Sequence, residues 1–244
     1  MSRDIRGLTL VELLVSLTLG LLIVVATLAG YLGLSEAGRM SEAQARMDED
    51  GQAALSVLAA HVRMAGSNPD RPNRSPAARR NPVYPSLYSF ALRGCDGKFE
   101  NITTAAGIQD LSCSPATSSS PDSISITYEA DRFNTVTPNP SVTPTDCLGH
   151  PLSQLTATVD LVTPPDPVTP TDISYYASEN RFYIASSGPE RSPSLYCKGS
   201  GPGSAANPLV ENVENLQLTY GTVPAGATLT SAADIAGYLD ASEV

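Results

Sequence analysis

One carboxylate, Glu12, stands in an apolar run from Leu8 to Leu34 that holds no other charged residue. A carboxylate in hydrocarbon is costly and usually has a function. The chemistry open to it there is neutralisation by a proton. Four cysteines, Cys95, Cys113, Cys147 and Cys197, all lie beyond that run. None forms a C-x-x-C pair and no His stands at ligand spacing, so zinc is not expected. An even number in this position reads as disulfides, with three connectivities open. Local loop closure favours Cys95–Cys113 and Cys147–Cys197. His61 falls in a helical pattern and His150 beside Pro151 in a loop. No G-x-S-x-G, H-E-x-x-H or phosphate loop accompanies them. The sequence therefore shows no recognisable catalytic motif, no metal site and no cofactor motif.

The elements that position these groups follow from patterning. The apolar run is long enough to cross a bilayer as a helix. Residues 35–65 continue it with strong helix formers and no Pro. Leu55, Leu58, Val62 and Ala65 form one apolar stripe, which Met40, Met47 and Ala54 extend backwards. Glu42 and Arg46 form an i,i+4 pair, and Gly66-Ser67-Asn68-Pro69 ends the helix. From Thr9 to Ala65 such a helix spans roughly 85 Å. A connector over 67–86 carries Arg71, Arg74, Arg79 and Arg80. It reads as a solvated loop or, more sharply, as a basic contact for an acidic neighbour subunit. Beyond it the period becomes two. Ser123–Tyr128 and Leu155–Leu161 alternate as strands, and Leu216, Leu218 and Tyr220 mark a later strand. Ile173–Ala177 and Phe182–Ala185 read as a hairpin turning at Ser178–Arg181. Val142–Asp146 recurs as Val168–Asp172, and Pro in both copies suggests exposed loops. Asn101-Ile102-Thr103 matches a glycosylation sequon, a frequent motif. A long helix followed by alternating strands predicts an α+β fold.

Composition sets further bounds. The chain has 244 residues and a formal net charge of −10, which argues against nucleic-acid binding through bulk charge. Removing residues 1–7, which carry Arg3, Arg6 and Asp4, makes it −11. Roughly 180 residues follow the helix, enough for one domain with its own core. Basic residues flank the apolar run on both sides, Arg3 and Arg6 before, Arg39 and Arg46 after. Charge bias alone therefore does not orient the span.

The segment Arg6-Gly7-Leu8-Thr9-Leu10-Val11-Glu12, a short polar leader ending in Gly before the apolar run, resembles the processing site of a type IV prepilin. The resemblance implies cleavage between Gly7 and Leu8 and N-methylation of Leu8, where Phe is commoner in the family. It implies that Glu12 is neutralised by the mature amine of a neighbouring subunit during assembly. Leu13–Leu22, Asp50–Leu55, His61–Gly66 and Pro208–Gly221 resemble the PilW-like minor pilins. The fold implied is type IV pilin-like, a long N-terminal helix packed on an antiparallel β-sheet domain. The division implied is a leader over 1–7, a transmembrane and filament-core helix over 8–34, its amphipathic continuation over 35–66 and an exported β-rich domain over 67–244. Such proteins continue past a segment like Tyr238–Val244 into another apolar strand, so the expectation is either a C-terminally truncated sheet with an open edge or a last strand that is dispensable here. The function implied is type IV pilus assembly: initiation, tip or modulation of the filament. Its partners would be other minor and major pilins, the prepilin peptidase, the inner-membrane assembly platform and membrane lipid, with no nucleic acid. Localisation would be the bacterial inner membrane as a single pass with a periplasmic C-terminal domain, then the pilus. A type II secretion pseudopilin shares the anchor physics. A membrane-anchored periplasmic enzyme or an adhesin is a further alternative.

Overall fold

The structure, a computed structural model, describes residues 9–74, 79–81, 91–115, 120–135, 143–161, 169–188, 192–224, 230–231 and 234–242. It divides into two compact units, Met1–Glu49 and Asp50–Val244. One helix, α1, covers Leu10–Met64. It ends where Gly66 takes φ +69° and Ser67 N–H returns to the Met64 carbonyl at 2.8 Å. This is the left-handed C-cap for which Gly is suited. Gly66 N–H donates to the Thr127 carbonyl, also at 2.8 Å, which ties the helix end to the sheet.

The second unit is built on an antiparallel sheet. Its strands are β1 (Leu92–Cys95), β2 (Ser123–Ala130), β3 (Leu155–Leu161), β4 (Thr169–Ala185), β5 (Ser194–Lys198) and β6 (Asn207–Glu211). They run in the order β1-β2-β4-β5-β6, with β3 also pairing β4. A separate two-stranded sheet pairs β7 (Tyr220–Thr222) with β8 (Gly237–Leu239). The fold is α+β and pilin-like. Its main core joins Ala54 and Leu58 of α1 to Ile124, Ile126, Tyr128, Phe182 and Leu195. A smaller core of Cys95, Phe99, Ile108 and Leu111 fills the loop between β1 and β2.

Several expectations are corrected. No hairpin turns at Ser178–Arg181; β4 runs unbroken through it, flanked by β2 and β5. Those polar residues are buried and hydrogen-bonded rather than solvated. Arg181 donates to the carbonyls of Ile102 at 2.6 Å and Ala105 at 2.9 Å, and Glu179 accepts from Ile108 N–H at 3.0 Å. They fasten the small core to the sheet. The helix stripe is also rotated. Ala54, Leu58 and His61 are buried, while Leu55 and Val62 are 66% and 41% exposed. The buried face contains a histidine, which a count of apolar residues passes over. Met40 and Met47 are exposed as well.

Of Leu216, Leu218 and Tyr220, only Tyr220 lies in a strand. Asp122 replaces the missing ladder: its N–H donates to the Leu216 carbonyl, and its Oδ2 accepts from Leu218 N–H at 2.7 Å. The repeated Val-Thr-Pro-Thr-Asp segments are not both exposed loops. Thr145 and Asp146 are buried, and Thr169–Asp172 belong to β4. There Pro170 faces Asp160 of β3, in a stretch that β2 does not reach, since β2 pairs only from Tyr176 onward. A proline needs such an open side. The connector is not simply solvated either. Arg71 forms a two-pronged ion pair with Glu129, and Arg74 is 8% exposed. The sequon residue Asn101 uses its side chain internally, donating to the Asp110 carbonyl at 2.7 Å and accepting from Ser112 N–H at 2.9 Å.

Candidate functional site

The candidate assembly residues lie at the start of α1. Gly7 and Leu8 fall outside the described residues. Thr9 caps the helix. Its backbone N–H and its Oγ1 both donate to Glu12 Oε2 at 3.0 Å, and Glu12 N–H donates to Thr9 Oγ1 at 3.3 Å. This reciprocal pair is a capping box, in which a Thr and a Glu three residues later satisfy each other's orphan donors. The T-x-x-E spacing of Thr9 and Glu12 is the sequence signal for it. Glu12 thus has a local structural role beside any intermolecular one. Its other oxygen, Oε1, takes no donor among the described residues. The helix that follows is long and apolar enough to cross a membrane, with a window of mean hydropathy 2.5.

The cysteines pair as Cys95–Cys113 and Cys147–Cys197, with Cα–Cα separations of 5.5 and 6.6 Å. The first closes the small core onto β1. The second joins a turn to β5. That turn is organised by Asp146, whose Oδ1 accepts from Leu148 N–H at 2.9 Å and His150 N–H at 3.0 Å, while Oδ2 accepts from Gly201 N–H at 3.0 Å. A Cβ on Gly199 would fall 2.1 Å from Asp146 Oδ2, so only glycine leaves the carboxylate room. His150 sits half-exposed, with Nδ1 3.6 Å from Asp146. His61 is buried against Phe182, ring centroids 5.0 Å apart. Its Nδ1 lies 3.5 Å from Tyr128 Oη and 3.4 Å from Asn180 Nδ2. Burial lowers its pKa to about 4, which keeps the ring neutral at ordinary pH. Asn180 completes the cluster, accepting from Cys147 N–H at 3.0 Å and donating to Ser178 Oγ at 3.0 Å. The two histidines lie in separate settings, His61 beside Tyr128 and Asn180 and His150 beside Asp146. Among the described residues no three His, Cys, Asp or Glu side chains gather to hold a metal.

An N-capped apolar helix with one carboxylate, joined to an antiparallel sheet, is the arrangement that comparison with known families can now test. Residues 2–28 match the prokaryotic N-terminal methylation motif. Residues 181–244 match the family described as type IV pilus-assembly protein W. The chain is similar to the PilW-like type IV minor pilins over these two stretches. No curated protein and no solved structure matches it. The two matched stretches are the start of the anchor helix and the C-terminal part of the sheet domain from Arg181 onward. The second favours a pilus component over a secretion pseudopilin, which the anchor alone did not. As a minor pilin the protein takes part in type IV pilus assembly and interacts with other pilus components. Membrane anchoring through α1 and a place in the pilus fit both the helix and the motif, and the family matches point to a structural rather than an enzymatic role.

Proposed function

We propose that this minor pilin enters the filament after cleavage between Gly7 and Leu8 and N-methylation of Leu8, and that Glu12 then receives the mature amine of an adjacent subunit. The observation that carries this is the capping box. Both Thr9 donors fall on Glu12 Oε2, so the carboxylate is held at the helix start with Oε1 open to a further cation. In hydrocarbon an amine there removes the cost of the charge. The partners implied are the prepilin peptidase, the inner-membrane platform and other minor and major pilins. The orientation implied is leader in the cytoplasm and sheet domain in the periplasm. Within the filament the protein acts in initiation, at the tip or as a modulator.

Glu12→Gln separates the two roles of the side chain. Gln keeps the capping box and loses the charge. Glu12→Gln is expected to insert into the membrane like the parent and to fall at least about tenfold in sheared filaments, the equivalent of about 1.4 kcal/mol of lost pairing. Equal recovery of Glu12→Gln and parent would refute the amine pairing, whereas a defect confined to Thr9→Ala would assign Glu12 to capping alone.

A further inference from the structure

The connector arginines, loose in the sequence, converge in the structure on a cleft of about 440 Å³ lined by Arg71, Arg74, Asn81, Glu129, Arg132 and Tyr175. The connector doubles back so that Arg71 N–H donates to the Arg79 carbonyl at 3.0 Å. The turn after β2 contributes Arg132 to the lining. The two acids that line the cleft, Glu129 and Asp131, are hydrogen-bonded within the chain. Glu129 accepts from both Arg71 Nη atoms and from Asn81 Nδ2. Asp131 Oδ1 accepts from Phe133 N–H at 2.7 Å and Asn134 N–H at 3.0 Å. Asp70 pairs with Arg79 at 3.6 Å.

Arg74 is left over. It is more than nine-tenths buried and donates from Nη1 to Asn81 Oδ1 at 2.7 Å, and its Nε has no partner among the described residues. A buried guanidinium without its own counter-charge is costly. Burial, together with repulsion from Arg71, pushes its pKa down, and Glu129 only partly opposes this. Arg132 is exposed at the rim, stacked 4.6 Å from the centroid of the Phe133 ring. Phe133 itself is 81% exposed. Two guanidinium groups without a dedicated carboxylate, one buried and one exposed, line the same cleft, and a guanidinium is suited to a planar anion.

We propose that this cleft binds a carboxylate, with Arg74 and Arg132 as its cationic walls, and that the carboxylate is presented by an acidic segment of a neighbouring subunit. The second half rests on the reading of the chain as a filament component. Acidic segments of the required kind exist: this chain carries Asp48-Glu49-Asp50 on α1, with Asp48 and Glu49 exposed. Arg and aromatic side chains at a concave, partly desolvated place are also the usual anchors of protein contacts.

The test uses the full chain in detergent micelles at fixed ionic strength. One probe is a peptide covering residues 44–53, beside the same peptide with its three acids changed to amides; another is sodium acetate. The acidic peptide is expected to bind and raise the melting temperature, and the amide peptide to do neither. Arg74→Gln should abolish the response while melting no lower than the parent without ligand, because it removes an uncompensated buried charge. Arg132→Ala, an exposed change that leaves the fold alone, should weaken binding about tenfold. A response to acetate with none to the peptide would overturn the subunit source and assign the cleft to free carboxylates. No response to either probe, or one that survives both substitutions, would overturn the site. Since no filament is needed, these failures are separate from a failure of Glu12 pairing.

Discussion

From Leu10 to Glu49 no residue of α1 is buried, and Leu14, Leu21 and Leu28 are each more than half exposed; from Asp50 to Met64 the same helix sinks Ala54, Leu58 and His61 into a core. The first stretch is folded by its own hydrogen bonds, its cap and its apolar composition, and its side chains need lipid or other subunits to cover them. The second is held by tertiary burial against β2 and β4. One secondary structure thus has two sources of stability, as expected when helix propensity alone is marginal. The second stretch belongs to the core of the protomer, and the first has no buried residue of its own.

If that division is right, the largest effects on the isolated protomer lie in the second unit. Replacing Cys147 and Cys197 by Ser opens a loop with a sequence separation of 50 and should cost about 4 kcal/mol by loop entropy. Denaturant unfolding of the full chain in detergent would show loss of the sheet while helical signal from the anchor persists. Simultaneous loss of both would break the comparison. Leu58→Ala should cost about 3 kcal/mol through a cavity, and Leu55→Ala less than about 0.5 kcal/mol as a surface change. Similar costs would contradict the rotated face.

His61 gives a pH test. Its folded pKa of about 4 lies below the usual 6.5, so the unfolded chain takes up the proton first as pH falls. Stability is intact above about pH 6.5 and declines toward pH 4, by about 3 kcal/mol in all at 1.36 kcal/mol per unit. Asp122, its pKa raised by burial, acts in the opposite sense in the same acid range. The difference between parent and His61→Gln isolates the histidine, and a pH-independent difference would remove it as the cause. In thermal unfolding Gly66→Ala is expected to cost at least about 1 kcal/mol for its positive φ. Its Cβ would also come 2.8 Å from Ala91 Cβ.

The same contrast decides what could be read from the residues alone. The helix was expected over Thr9–Ala65 and observed over Leu10–Met64, because propensity, an uninterrupted run and a Gly stop all agree there. Strands β2 and β3 announced themselves by period two. The polar half of β4 did not, because Ser178, Asn180 and Arg181 carry turn-like composition while serving as buried hydrogen-bonding groups. Asp122 and Asp146 act in the same way, taking the place of ladder bonds that a period count looks for. The connector arginines looked like solvent-facing charge because their partners, Glu129 and Asn81, lie 58 and 7 residues away along the chain. At the candidate site, Glu12 stood out as a charge in an apolar run. Its partner Thr9 was legible only as part of the capping spacing.

A chain that reaches the filament as a processed subunit anchored by α1 carries a defined N-terminus. Mass spectrometry of the N-terminal peptide from sheared, washed filaments tests this directly. The account predicts a peptide beginning at N-methylated Leu8 and its replacement, in Gly7→Val cells, by an unprocessed chain absent from filaments. An intact Met1 on protein incorporated into filaments would contradict it.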